Sequence, residues 1–238
     1  TLDDVNGEVH AKYLIELSKF LLFNCSQIPL EYELFSKMLN NLKIYNEDSL
    51  KTDDQLMEYR LERQKNLAIK TQYLIEKVFE SVRNISITNG GIKEAALLFG
   101  CSPVTAKEIY HIKFPPTTTE TLPADLPNNA IKNSVRSCLL SILTSKDFHI
   151  FSEKELKPTN TFFVFKMSKG AKNMDDFELL EDYKLPRCPR MCLLEICNKN
   201  TTEYVLEEDS TSYSWFMSNT VIKGFKDDVI KGKTIWHL

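Results

Sequence analysis

Glycine is scarce, with seven in 238 residues, or ~3% where ~7% is usual. No arrangement of Gly7, Gly90, Gly91, Gly100, Gly170, Gly224 and Gly232 makes a G-x-G-x-x-G, a G-x-x-x-x-G-K or a G-x-S-x-G. The familiar phosphate-cradling loops and the nucleophile elbow are therefore excluded. Histidine is scarcer still, and His10, His111, His149 and His237 have no metal-ligand or acid–base partner at a helical or C-x-x-C spacing. Each reads as structural or surface, and neither a metal nor a cofactor is expected. Long apolar runs are missing: Phe20 to Phe23 and Ala95 to Phe99 are among the longest, whereas a membrane helix needs about twenty residues. A basic excess is missing too, since 30 basic against 33 acidic residues leave a charge of -3, a poor footprint for nucleic acid. The opening Thr1-Leu2-Asp3-Asp4 has neither a basic n-region nor an apolar h-region, so no secretory signal is read there.

What the chain has is apolar content, 42% of its residues, enough to bury a sizeable core. Val9, Tyr13, Leu14, Leu17, Phe20 and Leu21 share one face at 3.6 residues per turn and predict a helix over 8–25. A shorter helix follows over 30–44, and a long one runs from Asp53-Asp54 to about Arg83. Gly90-Gly91 ends the helical regime. Ala95 to Phe99, the Gly100-Cys101-Ser102-Pro103 turn and a return strand bearing Glu108, Tyr110, Ile112 and Phe114 on one face predict a hairpin. After a Pro- and Thr-rich loop, a further strong helix covers roughly 127–146. From Thr161 the period becomes two, with strands expected at 161–167, 191–196, 203–206, 214–222 and 233–237. This order predicts an α+β fold with three main helices on one face of a mainly antiparallel sheet.

Candidate chemistry is thin. Cys188, Cys192 and Cys197 are spaced by four and five, which fits no common zinc knuckle. All six cysteines read as reduced thiols, because Cys25 and Cys138 fall in amphipathic helical stretches and a chain of this size needs no stapling. The acidic runs at Asp175-Asp176, Glu207 to Asp209 and Asp227-Asp228 read as solvated loops, and the sequons beginning at Asn24, Asn84 and Asn200 as chance. The 127–146 helix says more. With Ile131 set at zero degrees, Val135, Cys138 and Ile142 fall within about 40 degrees of it, Leu139 near 80, Leu143 near 120 and Leu140 near 180 with Arg136 beside them. That is more apolar circumference than one core contact requires. Periodicity leaves two readings open, a helix sandwiched within its own protein and a solvent-facing ridge that grips a partner.

Three segments carry a family resemblance. The helix Tyr13 to Asn24 running into SQIPLEYELF (Ser26 to Phe35), LLFGCSPVTAKEIYHI (Leu97 to Ile112) and WFMSNTVIKGFK (Trp215 to Lys226) resemble, in order, segments of the comet family of HORMA-domain adaptors. The resemblance implies a HORMA-like domain over 9–238 behind a tail of residues 1–8, with its carboxy-terminal segment folded onto its own sheet. It also implies a non-enzymatic adaptor that binds the closed conformer of the spindle-checkpoint protein Mad-two at its dimerisation face. The adaptor hands Mad-two to the pachytene-checkpoint AAA+ ATPase and so silences the checkpoint, in nucleus and cytoplasm and at the mitotic spindle or kinetochore. The family's apolar partner contact falls on Leu139 and its polar contact on Asn24, with Arg136, Leu140 and Leu143 beside Leu139. Leu stands where vertebrate members have an aromatic, and Asn where they have Gln. A different reading is a HORMA protein that clasps a peptide under a mobile carboxy-terminal belt, and a third is a hydrolase whose carboxylates leave no motif.

Overall fold

The computed structural model describes residues 6–44, 55–117, 128–153, 155–197 and 212–237. Helix α1 spans Gly7–Asn24, its first turn capped by the Asn6 side chain, which accepts the Val9 amide at 2.9 Å. It stops where Ser26 turns left-handed at φ 54° and the Gln27 amide reaches back to the Leu22 carbonyl. Helix α2 is Tyr32–Ile44, and α3 is Gln55–Thr88, roughly 50 Å of helix at 1.5 Å per residue. At Gly7, α1 and α3 are in tight contact. A Cβ there would collide with the Ser86 carbonyl, and the Ser86 hydroxyl donates to the Gly7 carbonyl at 2.7 Å. Past α3 the chain turns through Gly90 and Gly91, both at positive φ.

The sheet begins with the expected hairpin, β1 (Glu94–Gly100) and β2 (Ala106–Lys113). Helices α4 (Asn128–Leu143) and α5 (Lys146–Ser152) follow, then β3 (Asn160–Ser168), β4 (Phe177–Leu180), β5 (Met191–Glu195), β6 (Tyr213–Ser218) and β7 (Ile222–Lys223). The spatial order is β4-β6-β3-β1-β2-β5, with β7 beside one end of β3. Among the described residues every ladder is antiparallel except β2 with β5. Period-two alternation sends Leu97, Phe99, Tyr110, Ile112, Phe163 and Phe165 into the main core beneath the helices. On the other face Ala96, Leu98, Ile109, Phe162 and Val164 are covered partly by Tyr183, Leu185 and Cys188 of the segment before β5. The main core reaches from Val9 to Ile235.

The fold is α+β, as periodicity predicts, and several elements correct the finer reading. The 127–146 helix is two: Thr144 bonds back to the Leu140 carbonyl at 2.8 Å, the helix ends at Leu143, and α5 restarts after Ser145. The single strand expected over 214–222 breaks at Asn219, whose amide bonds the Asp176 carbonyl, and the chain resumes as β7. Residues 233–237 are no strand. Lys231 and Gly232 turn the chain at positive φ, and Ile235–His237 forms a 3-10 helix with Ile235 buried and the Trp236 ring 5.9 Å from that of Phe35. Burial of the two apolar side chains against the helices, rather than strand pairing, places that segment. β4 has no forerunner in the sequence reading, and the parallel pairing of β2 with β5 sits within a sheet that is mainly antiparallel, as expected. The strand expected at 203–206 and the acidic start of α3 at Asp53-Asp54 lie outside the described residues.

The carboxy-terminal segment is interior rather than peripheral. β6 lies between β3 and β4, the Gly224 amide bonds the Thr159 carbonyl and the Phe225 amide the Gln27 carbonyl, both at 2.8 Å. Gln64 of α3 donates to the Asp228 carbonyl at 3.0 Å.

Candidate functional site

Helix α4 contains no acidic residue, and its charges are Lys132 and Arg136, both exposed. Its inner stripe is Val135 and Cys138, both buried, with Ile142 packed on the core beside them. Cys138 lies against α1, where it and above all burial push the Tyr13 phenol up. Leu139 is partly buried and packs against the main core, Leu143 is half-buried, Leu140 is 50% exposed and Arg136 is exposed. Spacings of three and four along the helix place Arg136, Leu140 and Leu143 on one continuous outward strip. The Ile131 side chain lies outside the described ones.

The end of α4 leads through two residues into α5, which is anchored by buried Phe148. Its ring is 5.9 Å from Phe20 of α1 and 6.4 Å from Tyr110 of β2. Asn24 is one turn beyond Phe20 on α1, half-buried, and next to Phe23, which is 43% exposed. The structure thus sets Asn24 at the α5 end of the α1–α4 contact and Leu139 further back along it. Two apolar residues missed from the sequence join this side, Phe23 and the exposed Ile150 of α5. Ile150 was illegible because α5 restarts the helical phase after Ser145. Phe23 was visible within Phe20 to Phe23 but lay off the α1 stripe.

Several other titratable groups have structural partners. Buried His10 accepts the Ile92 amide on Nδ1 at 3.2 Å, and burial lowers its pKa to about 4. His111 pairs with Glu94 at 2.7 Å, and Lys166 pairs with the same carboxylate at 2.7 Å. Burial opposes the charge on Glu94, yet the His111 and Lys166 bonds outweigh it and lower its pKa to about 2. A cleft of about 600 Å³ between α1, α2 and α3 is walled by Glu8, Lys12, Glu16, Lys19, Glu76 and Arg83. Lys19 there spans Glu16 and Glu33. Among the described residues no group of three His, Cys, Asp or Glu is placed to hold a metal, and no helix is long and apolar enough to cross a membrane.

What stands out is a half-exposed apolar and cationic strip on α4, with the end of α1 and α5 beside it. No curated protein matches the chain. A family model does, over residues 3–227, and its description is p31comet: Mad1 and Cdc20-bound-Mad2 binding, Mad2 being the Mad-two checkpoint protein. Spanning nearly all of the chain and agreeing with its helices-on-sheet architecture, that match shows that the chain belongs to the p31comet family, whose fold is HORMA-like.

Proposed function

We propose that this protein is a non-enzymatic adaptor that binds the closed conformer of Mad-two through the outer strip of α4 together with the end of α1. It presents that conformer to the pachytene-checkpoint AAA+ ATPase and so silences the spindle checkpoint, acting in nucleus and cytoplasm and at the spindle or kinetochore. The observation that carries the reading is the α4 strip, Leu140 standing half out of the fold beside Arg136 and Leu143 in a family described by binding to Mad-two complexes. A desolvated apolar anchor of that kind typically contributes about 2 kcal/mol or more to a protein interface. The rival belt reading is disfavoured by β6, which is held by ladders on both sides, so that releasing it would break two sets of strand bonds.

The test is capture of closed and open Mad-two by the full chain and by Leu140→Ala and Arg136→Glu variants. Preference for the closed form, weakened about thirtyfold by Leu140→Ala, is the expected result. Equal capture of both forms, or capture indifferent to both variants, would remove α4 from the reading. Stimulated conversion of Mad-two by the ATPase when the chain is added tests the second half.

A further inference from the structure

Between the end of α1, α5 and the sheet lies a buried carboxylate that neither the core nor the adaptor reading accounts for. Glu108 of β2 is 2% exposed and lies on the helix-facing side of the sheet. One carboxylate oxygen, Oε1, accepts the Tyr110 hydroxyl at 2.6 Å and has the Cys25 thiol at 3.6 Å. The other, Oε2, is paired with the Arg190 guanidinium at 3.0 Å. Arg190 also donates to the Phe151 carbonyl of α5 at 2.8 Å and lies over the Phe151 ring, 5.3 Å from its centroid. Cys25 caps α1 directly after Asn24, and burial, with the Glu108 charge behind it, keeps its thiol protonated. One carboxylate therefore gathers the end of α1, the end of α5 and the strand beneath them.

We propose that Arg190 is a positioning residue for the partner strip: paired with Glu108, it pins α5, and through α5 the outer face of α4, in register with the end of α1 that carries Asn24. The proposal rests on reading α4 as the binding face. Its physical basis is the weakness of α5 by itself. Seven residues are too few for a self-sustaining helix, the side chain of its N-cap Ser145 makes no capping bond, and Phe148 is its one fully buried side chain. Phe148 holds one end and Arg190 the other. Only Thr144 and Ser145 separate α5 from α4, so the angle of α5 sets that of the last α4 turns, where Leu139, Leu140 and Leu143 sit.

The residue types fit the task. A guanidinium can lie flat on a ring while its N–H groups reach a carboxylate and a carbonyl, whereas an ammonium has the donors but no plane to stack. Arg190 is itself fixed, because its carbonyl accepts the Ile109 amide at 2.9 Å and the Cys188 thiol at 3.3 Å just before β5 begins its parallel run along β2. A buried ion pair is weak evidence for stability and better attested as a device that selects one arrangement. Here the arrangement it selects is that of the two helices flanking the proposed contact.

The experiment uses the full chain with Arg190→Met, Arg190→Lys and the double variant Glu108→Gln with Arg190→Met, which strands no buried charge and guards against simple misfolding. Hydrogen exchange of the free protein is read by segment, and capture of closed Mad-two separately. In the double variant, exchange over residues 140–152 should rise at least tenfold while α3 and β3 keep wild-type protection. Capture should weaken about tenfold as the competent geometry becomes a minor population. Arg190→Lys, with charge kept and fork lost, should fall between. Unchanged exchange over 140–152 would overturn the proposal, as would a uniform rise through α3 and β3, which would mark the pair as a global stability element. Faster exchange with undiminished capture would refute the positioning role. If the wild-type chain captured no closed Mad-two at all, the adaptor reading would fall instead, and the exchange pattern would still judge the pin.

Discussion

Acidification should destabilise this protein in a window set by the His10 side chain. His10 is 1% exposed on α1, with its ring 4.5 Å from Phe114 and its Nδ1 occupied by the Ile92 amide. Accepting there places the ring proton on Nε2, which is buried without a partner. Burial lowers the pKa from 6.5 to about 4, and a proton arriving at Nδ1 would break the Ile92 bond. Because the folded value lies below the unfolded one, the unfolded chain binds more protons between these values, so stability rises with pH across them. The stabilisation is complete above about pH 6.5 and is lost as pH falls towards 4. At 1.36 kcal/mol per unit, the loss between pH 7 and pH 4.5 is about 2.5 kcal/mol, a large share of a typical ~5–15 kcal/mol. Glu94, lowered from 4.5 to about 2, releases its contribution only below that window, so the two effects separate. Urea denaturation at half-unit steps from pH 7.5 to 4.5, on wild type and on His10→Asn, measures it. The variant should be less stable at pH 7 and should lack most of the acid-dependent loss. Parallel curves for the two proteins would show that His10 is not the buried neutral base described.

Leu139→Ala should lower both stability, by about 1–2 kcal/mol for a half-buried leucine on the core edge, and capture of closed Mad-two. Leu140→Ala should lower capture with a stability change under about 1 kcal/mol, and melting curves beside capture assays separate the pair. Gly7→Ala should destabilise the fold by about 2 kcal/mol or more, because its Cβ would meet the Ser86 backbone, which cannot yield without parting α1 from α3; thermal melting reads this. Removing residues 235–238 takes the Trp236 ring from Phe35 and the buried Ile235 side chain from the core. The melting temperature should fall by about 10 °C, and an unchanged value would show that the 3-10 helix contributes nothing to the core.

The α4 strip was only half legible, for a definite reason. Helical angles place Val135, Cys138 and Ile142 inward and Leu140 outward, and the structure agrees at each. For Leu139, near 80 degrees, the angle cannot decide, because exposure at the edge of a stripe depends on how deeply α1 and the sheet wrap round it. Periodicity left open whether Leu139 meets a partner or its own protein, and in the structure it is partly buried and packs against the core. Arg190 and Glu108 carried no signal together, being 82 positions apart in the chain.

Local sequence by itself determined α1, α3, the hairpin of β1 and β2, and the paired faces of β3, since amphipathic period and glycine turns act within a few residues. The segments WFMSNTVIKGFK and LLFGCSPVTAKEIYHI were enough to place the chain in its family. Only the tertiary structure decided that β5 pairs in parallel with β2, that β6 enters between β3 and β4, and that residues 235–237 form a 3-10 helix packed on α2 and α3. Strand partners and burial are chosen by contacts between distant residues, whose free energy appears only when the loops between them close.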